Sequence, residues 1–206
     1  MISYVYFFYI GIWVQLKTWQ SRSSIISDLS NTLNMRCQLK SKRLRSVSTE
    51  QMENLIETLM WFWGNIHQRW RVAVEEEYGL DAVRQLELKL GDVGKSHAKR
   101  IKKIFKVGEG VTGFNKAFQY TPEKFLEPFE IEEQTKKLLI FSNPSCSVQK
   151  ARVKRGKSEF PCKETATLYM ASFAHEIDPN IKLSCIVCPP DDHPNNCFCK
   201  WRLEVK

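Results

Sequence analysis

Two runs near the C-terminus decide the fold: Ile181-Lys182-Leu183-Ser184-Cys185-Ile186-Val187-Cys188-Pro189-Pro190 and Cys197-Phe198-Cys199-Lys200-Trp201-Arg202-Leu203-Glu204-Val205. Ile181, Leu183, Cys185 and Val187 alternate onto one face of an extended chain, as do Cys197, Cys199, Trp201, Leu203 and Val205. If the two runs pair as a hairpin across residues 188–196, Cys185 and Cys199 both point into a core. Cys188 then stands at the strand end, where Pro189-Pro190 forces a turn.

A hairpin with one apolar face needs cover, and the residues upstream supply it. Ser48 and Gln51 have capping-box spacing. Met52, Leu55, Ile56, Leu59, Trp63, Ile66, Trp70 and Val74 then follow at three- and four-residue steps. Tyr78-Gly79 supplies the stop, with Gly79 suited to a left-handed position. A second helix is predicted from Asp81 to Lys106, with Gly91 and Gly94 marking a kink or a close helix contact. Gly108, Gly110 and Gly113 read as a loop, and Phe114–Tyr120 as a short helix ended before Pro122. Strands are expected over Phe129–Glu132 and Lys137–Phe141. Helices follow, one carrying Cys146, Val148, Ala151 and Val153, the other running Lys163–Ile177. The fold class is therefore α+β: an N-terminal helical layer packed on a small antiparallel sheet with a cysteine-rich C-terminal strand pair.

Domain organisation follows from charge. The net charge is +8 over 206 residues, but residues 1–46 carry +6 of it, leaving +2 for the remainder. Residues 1–46 read as a basic and apolar extension and 47–206 as a single domain that is nearly neutral. Nucleic acid is not an expected partner. Met1–Leu16 is apolar or uncharged, yet lacks the basic flank and cleavage site of a secretory signal and is short for a membrane span. Three readings of it stand: an anchor with a basic flank, an ordered extra helix, or translated upstream sequence with the true start at Met35. Membrane attachment is expected only if residues 1–16 are native, and a cytoplasmic location otherwise.

Six of the seven cysteines fall after Asn143. An odd count at short spacings, in a chain large enough to build a core without disulfides, points to reduced thiols used for metal, catalysis or packing. Cys146 and Cys162 each sit at a predicted helix start, where unpaired amides favour a thiolate; both are candidate nucleophiles. A Cys162–His175 dyad is excluded, because thirteen helical residues separate the two by roughly 20 Å. Cys185, Cys188 and Cys199, completed by Cys162, Cys146, Cys197 or His193, make a candidate set for zinc or an iron–sulfur centre. Lys99 and Arg100, in a helix end rich in Lys and Arg, together with Lys150 and His67, are candidates for holding an anionic small molecule.

The span from about Ser48 to Val205 resembles a family of prokaryotic proteins of unassigned role that is distantly similar to the 2-aminothiazoline-4-carboxylate hydrolases. Trp61-Phe62, Glu76, Tyr78-Gly79-Leu80, Gly94 and Ala98-Lys99-Arg100 carry the resemblance in the helical half. Asn143–Lys150, Phe160-Pro161-Cys162, Cys185-x-x-Cys188-Pro189-Pro190-Asp191 and Cys199-Lys200-Trp201 carry it in the other half. Toward the hydrolases themselves Cys162 and Cys199 correspond in position, with Cys146 a further candidate. Lys200 stands where those enzymes have an acidic residue, and Cys185 and Cys188 are additional. The resemblance implies hydrolysis of a cyclic C–N bond, or binding, of an anionic sulfur- or nitrogen-containing carboxylate at the cysteine-rich site. The alternative is a non-enzymatic ligand-binding or sensor protein whose cysteines hold a structural metal.

Overall fold

The computed structural model describes residues 46–205; the apolar run Met1–Leu16, the basic run and Cys37 lie outside the described residues. The chain divides into two compact units, Met1–Met52 and Glu53–Lys206. Among the described residues no helix is long and apolar enough to cross a membrane.

Helix α1 runs Thr49–Tyr78. It begins at the predicted capping box: Gln51 N donates to Ser48 Oγ at 3.2 Å and Ser48 N to Gln51 Oε1 at 2.9 Å. It ends at Gly79, whose φ of +84° is accessible to glycine at no steric cost. The expected helix over Asp81–Lys106 is two helices, α2 (Leu80–Leu88) and α3 (Val93–Phe105). The break has a packing cause. The Gly91 carbonyl accepts from Ser172 Oγ at 2.8 Å, and a Cβ on Gly94 would stand 2.2 Å from the Tyr169 carbonyl oxygen. The turn lets α3 approach the later helix backbone to backbone, so kink and close contact occur together.

The glycine loop is shorter than predicted, since α4 spans Gly110–Phe118. Pro122 starts a helix where it was expected to end one. It occupies the first turn of α5 (Pro122–Leu126), with Thr121 as the N-cap. Strands β1 (Glu130–Gln134) and β2 (Leu138–Asn143) precede α6 (Ser147–Lys154) and α7 (Lys163–Ile177). The chain closes on β3 (Ile181–Val187) and β4 (Cys199–Val205). The strands form one antiparallel sheet in the order β1-β2-β4-β3.

The predicted hairpin is present, with Leu183 opposite Leu203 and Cys185 opposite Trp201. A register shift between Cys185 and Val187 breaks strict alternation just before Cys188. Inward residues of β2 and β4 pair as Leu139 with Leu203 and Phe141 with Trp201, and all four are buried. Helices α4 and α7 cover this floor with Phe114, Phe118 and Phe173. Phe114 meets Phe173 edge-on at 5.6 Å between centroids, an orientation that aligns ring edge with ring face.

Two side chains tie helix ends together. Lys102 on α3 donates to the Glu176 and Ile177 carbonyls at the C-terminus of α7, at 2.8 and 3.1 Å. Part of the cationic α3 face therefore complements the dipole of a neighbouring helix. Asp178 Oδ2 accepts from Gly110 N at 3.1 Å, satisfying the first amide of α4.

Gly94→Ala should destabilise the domain by about 1–3 kcal/mol, because the added carbon would force α3 and α7 apart. A lowered urea midpoint with an unchanged slope is the expected readout.

Candidate functional site: a thiol cluster at the sheet end

The cluster is assembled at one junction. Cys162 is the N-cap residue of α7, Cys185 lies on β3, Cys188 follows β3, and Cys199 opens β4. Lys163 N donates to the Pro189 carbonyl at 2.9 Å, which fastens the start of α7 to the turn after β3. Asp191 clasps the same turn: its Oδ2 accepts from Cys188 N at 3.3 Å and from Lys163 Nζ at 2.7 Å. Cys162 Sγ and Cys188 Sγ stand 3.4 Å apart. Cys185 and Cys199 lie close enough to act on the Cys188 thiol. All six cysteines among the described residues are free thiols.

The protons are unequally held. Cys188 is pushed far above the ordinary thiol range by hydrogen bonding to Cys162, then to Cys185 and Cys199, with burial adding to this. Cys185 and Cys199 are lowered because their sulfurs accept from Cys188; Trp201 adds a further bond to Cys199. Negative charge thus accumulates first on the two strand cysteines. As free thiols the residues are not a finished coordination shell, since among the described residues no group of three or more His, Cys, Asp or Glu has the arrangement of a metal-ion site.

Cys146 departs from expectation. Burial and then the Glu127 carboxylate push its thiol up to about 12. Glu127 has taken the place a thiolate would need: it accepts from Ser147 N at 3.0 Å and from the Ser147 hydroxyl, filling the N-terminus of α6. The helix dipole stabilises a carboxylate there. Cys197 lies two residues before the start of β4, and its sulfur faces the Cys199 carbonyl at 3.9 Å. His193 Nε2 lies 2.8 Å from Glu159 Oε2, and its Nδ1 faces the Pro194 carbonyl at 3.1 Å, so both ring nitrogens are engaged. His175 falls in the last turn of α7, at the far end from Cys162.

Beside the cluster lies a buried polar wall that sequence reading missed. Arg71 of α1 stacks over the Phe160 ring at 4.0 Å and contacts Glu87 at 2.7 Å. Burial lowers its pKa; Glu87, then the Cys162 and Cys146 sulfurs, act in the opposite direction. A guanidinium remains charged through such a shift. Arg152 pairs with Glu75 and donates from Nε to the Ser158 carbonyl at 2.9 Å. Gln149 clamps Phe160 in both directions, at 2.8 and 2.9 Å, and its Nε2 reaches Cys162 Sγ at 3.6 Å. Nothing local announces these partners, because Arg152 and Glu75 are 77 positions apart.

The predicted ligand-binding residues do not converge on the sulfurs. His67 stacks on Trp63 at 5.2 Å, and burial, with Arg71 adding to it, lowers it to about 4, so it is neutral at pH 7. Lys150 bonds Ser145 Oγ at 2.7 Å beside the Phe198 ring. Lys99 is exposed on α3. Arg100 belongs to a separate groove of about 260 Å³ that also has His97, Ile104, Phe105, Tyr120 and Pro122 in its walls, and no cysteine. Behind it His97 Nδ1 meets the Tyr169 hydroxyl at 3.1 Å, and that hydroxyl donates to Glu123 at 3.4 Å. Lys200 pairs with Glu132.

A family model described as "Family of unknown function (DUF6125)" matches residues 45–205. No curated protein and no solved structure matches.

In reduced, metal-free protein at pH 8, Cys146 should be alkylated by iodoacetamide at least about two orders of magnitude more slowly than an unperturbed thiol, since the thiolate is the nucleophile. Peptide mass spectrometry over a time course measures this directly.

Proposed function

The chain belongs to that family of unknown function, and from its own side chains we propose that it is a small-ligand-binding or sensor protein whose Cys162, Cys185, Cys188 and Cys199 hold one structural metal ion. The observation that carries the reading is the convergence of three sulfurs on Cys188, with Cys162 at 3.4 Å. In a tetrahedral site every ligand neighbours the other three, and a zinc–sulfur bond of about 2.3 Å sets the sulfur–sulfur edge near 3.8 Å. The observed pair is within a few tenths of that edge. A single thiophilic ion fits this spacing better than a cluster, whose cysteines bind separate irons.

The donor set supports the reading chemically. Four soft thiols from a helix start, a strand, a turn and a second strand would cross-link α7 to β3 and β4. The bound ion would supply folding energy there. Asp191, Lys163 and the Trp201 indole orient the ligands and their backbone, the outer-shell role on which metal sites depend. The groove at Arg100 is the place for an anionic small molecule, remote in its lining from the sulfurs.

A second reading, a hydrolase of a cyclic C–N bond in an anionic sulfur- or nitrogen-containing carboxylate, is favoured by Cys162 accepting from the Gln149 amide. It needs Cys162 free to attack a substrate carbon. The two readings therefore assign the same sulfur to different bonds.

Protein purified reduced and without chelator should carry about one equivalent of zinc or iron per chain and no acid-labile sulfide. Cys162→Ser and Cys188→Ser should each lose most of the metal and lower the melting temperature, while Cys197→Ser should lose neither. Well-folded wild-type protein without metal, unaffected by chelator, would sink the proposal. A Cys162→Ser variant that keeps its stability but loses iodoacetamide labelling at that position would favour the nucleophile instead.

A further inference from the structure

Helix α1 is 30 residues long, and no residue along it is buried. One side of it meets the domain. A Cβ on Gly64 would lie 3.1 Å from the Leu126 side chain. His67 and Arg71 follow Gly64 at steps of three and four, so they share that side, and Arg71 seats on Phe160 and Glu87. A different side carries Leu55, Ile56, Leu59, Phe62, Trp63 and Ile66, exposed by 38, 39, 49, 50, 41 and 70%. Residues 56, 59, 63, 66 and 70 repeat at steps of three and four, the spacing that keeps one apolar seam in line along a helix. Leu55 and Phe62, seven residues apart, widen the seam on the same flank.

Side chains of this size bury about 150–250 Å² each when aromatic, and the exposed fractions above amount to roughly 500–600 Å² of apolar surface per chain. That is at the upper end of the largest patch on an ordinary monomer. Laid against its own copy, the face would bury roughly 1,100 Å² in total, above the threshold of about 1,000 Å² for a specific interface. A two-fold contact needs only one self-complementary surface, and an uncharged apolar seam is that. Glu53 and Glu57 fall to the other side of the helix, so pairing brings no like charges together on the seam.

We infer that the Leu55–Ile66 face of α1 is a homodimer interface, in which two copies of this chain pack their seams across a two-fold axis. The inference stands independently of the metal reading, since the two sites share no residue.

Sedimentation velocity of the full chain at about 10 μM, well above a Kd of about 1 μM, should show a dimer. The double variant Phe62→Glu with Ile66→Glu should sediment as a monomer while keeping its far-ultraviolet circular dichroism. Asn54→Glu, on the opposite side of α1, should remain dimeric and so shows that an added charge alone is not responsible. A monomeric wild type at that concentration would overturn the inference, whether or not the face then binds lipid vesicles. Dimerisation that survives the double substitution in folded protein would overturn it equally.

Discussion

The junction between the start of α7 and the turn after β3 fixes the position of the thiol cluster. The Lys163 amide donates to the Pro189 carbonyl at 2.9 Å, and the Lys163 ammonium pairs with Asp191 across the same gap. These contacts bring a helix N-terminus and a strand end to one point. The register of β3 on β4 then sets Cys185 opposite Trp201, two residues along β4 from Cys199. Cys162 and Cys188 are separated by 26 positions in the chain yet stand with sulfurs in contact. Without the junction the four cysteines would be only four small apolar side chains spread along three elements.

Gathering thiols carries an electrostatic cost that the surroundings partly offset. Each thiolate buried in a low-dielectric interior is unfavourable unless paired or hydrogen-bonded. Arg71 is a half-buried cation acting on the sulfurs of Cys162 and Cys146, and it is held by stacking on Phe160 and by Glu87 rather than by the sulfurs themselves. Glu127 acts in the other direction: by occupying the N-terminus of α6 it keeps Cys146 protonated. Cys146 thus gains no thiolate character from its place at a helix start: burial is the larger cause, and the Glu127 carboxylate, from the loop before β1, the second.

The architecture was legible wherever periodicity and punctuation agreed. Alternation in the last two runs identified β3, β4 and the inward placement of Cys185 and Cys199, and the Ser48–Gln51 spacing identified the start of α1. The division of the second helix was half-visible, since Gly91 and Gly94 signalled a close approach but not the four-residue turn that permits it. Pro122 misled because proline ends one helix and opens another with equal ease, and only Thr121 just before it distinguishes the two. The site was legible in its sulfurs and illegible in its supports. Gln149, Arg152, Glu75 and Arg71 read as surface polar residues of helices, and only tertiary pairing makes them a buried wall. The expectation of one site combining cysteines with Arg100 failed for a topological reason: α3 presents Arg100 toward the 120–122 turn, among residues that include no cysteine.

The groove and the thiol cluster differ in their linings yet touch one helix. The groove beside Arg100 is backed by His97, and His97 meets Tyr169 of α7, the same helix whose first residues hold the thiol cluster. A ligand in the groove that reoriented His97 would act on Tyr169, two turns along α7 from Cys162, through a hydroxyl already engaged with Glu123. That helix is fastened at its start by the Lys163–Pro189 bond and at its end by Lys102. The C-terminal anchors on the Glu176 and Ile177 carbonyls come from α3, the helix that also carries His97 and Arg100. The α3–α7 pair, brought to backbone contact at Gly94, thus links the wall of the groove to the helix that Cys162 caps.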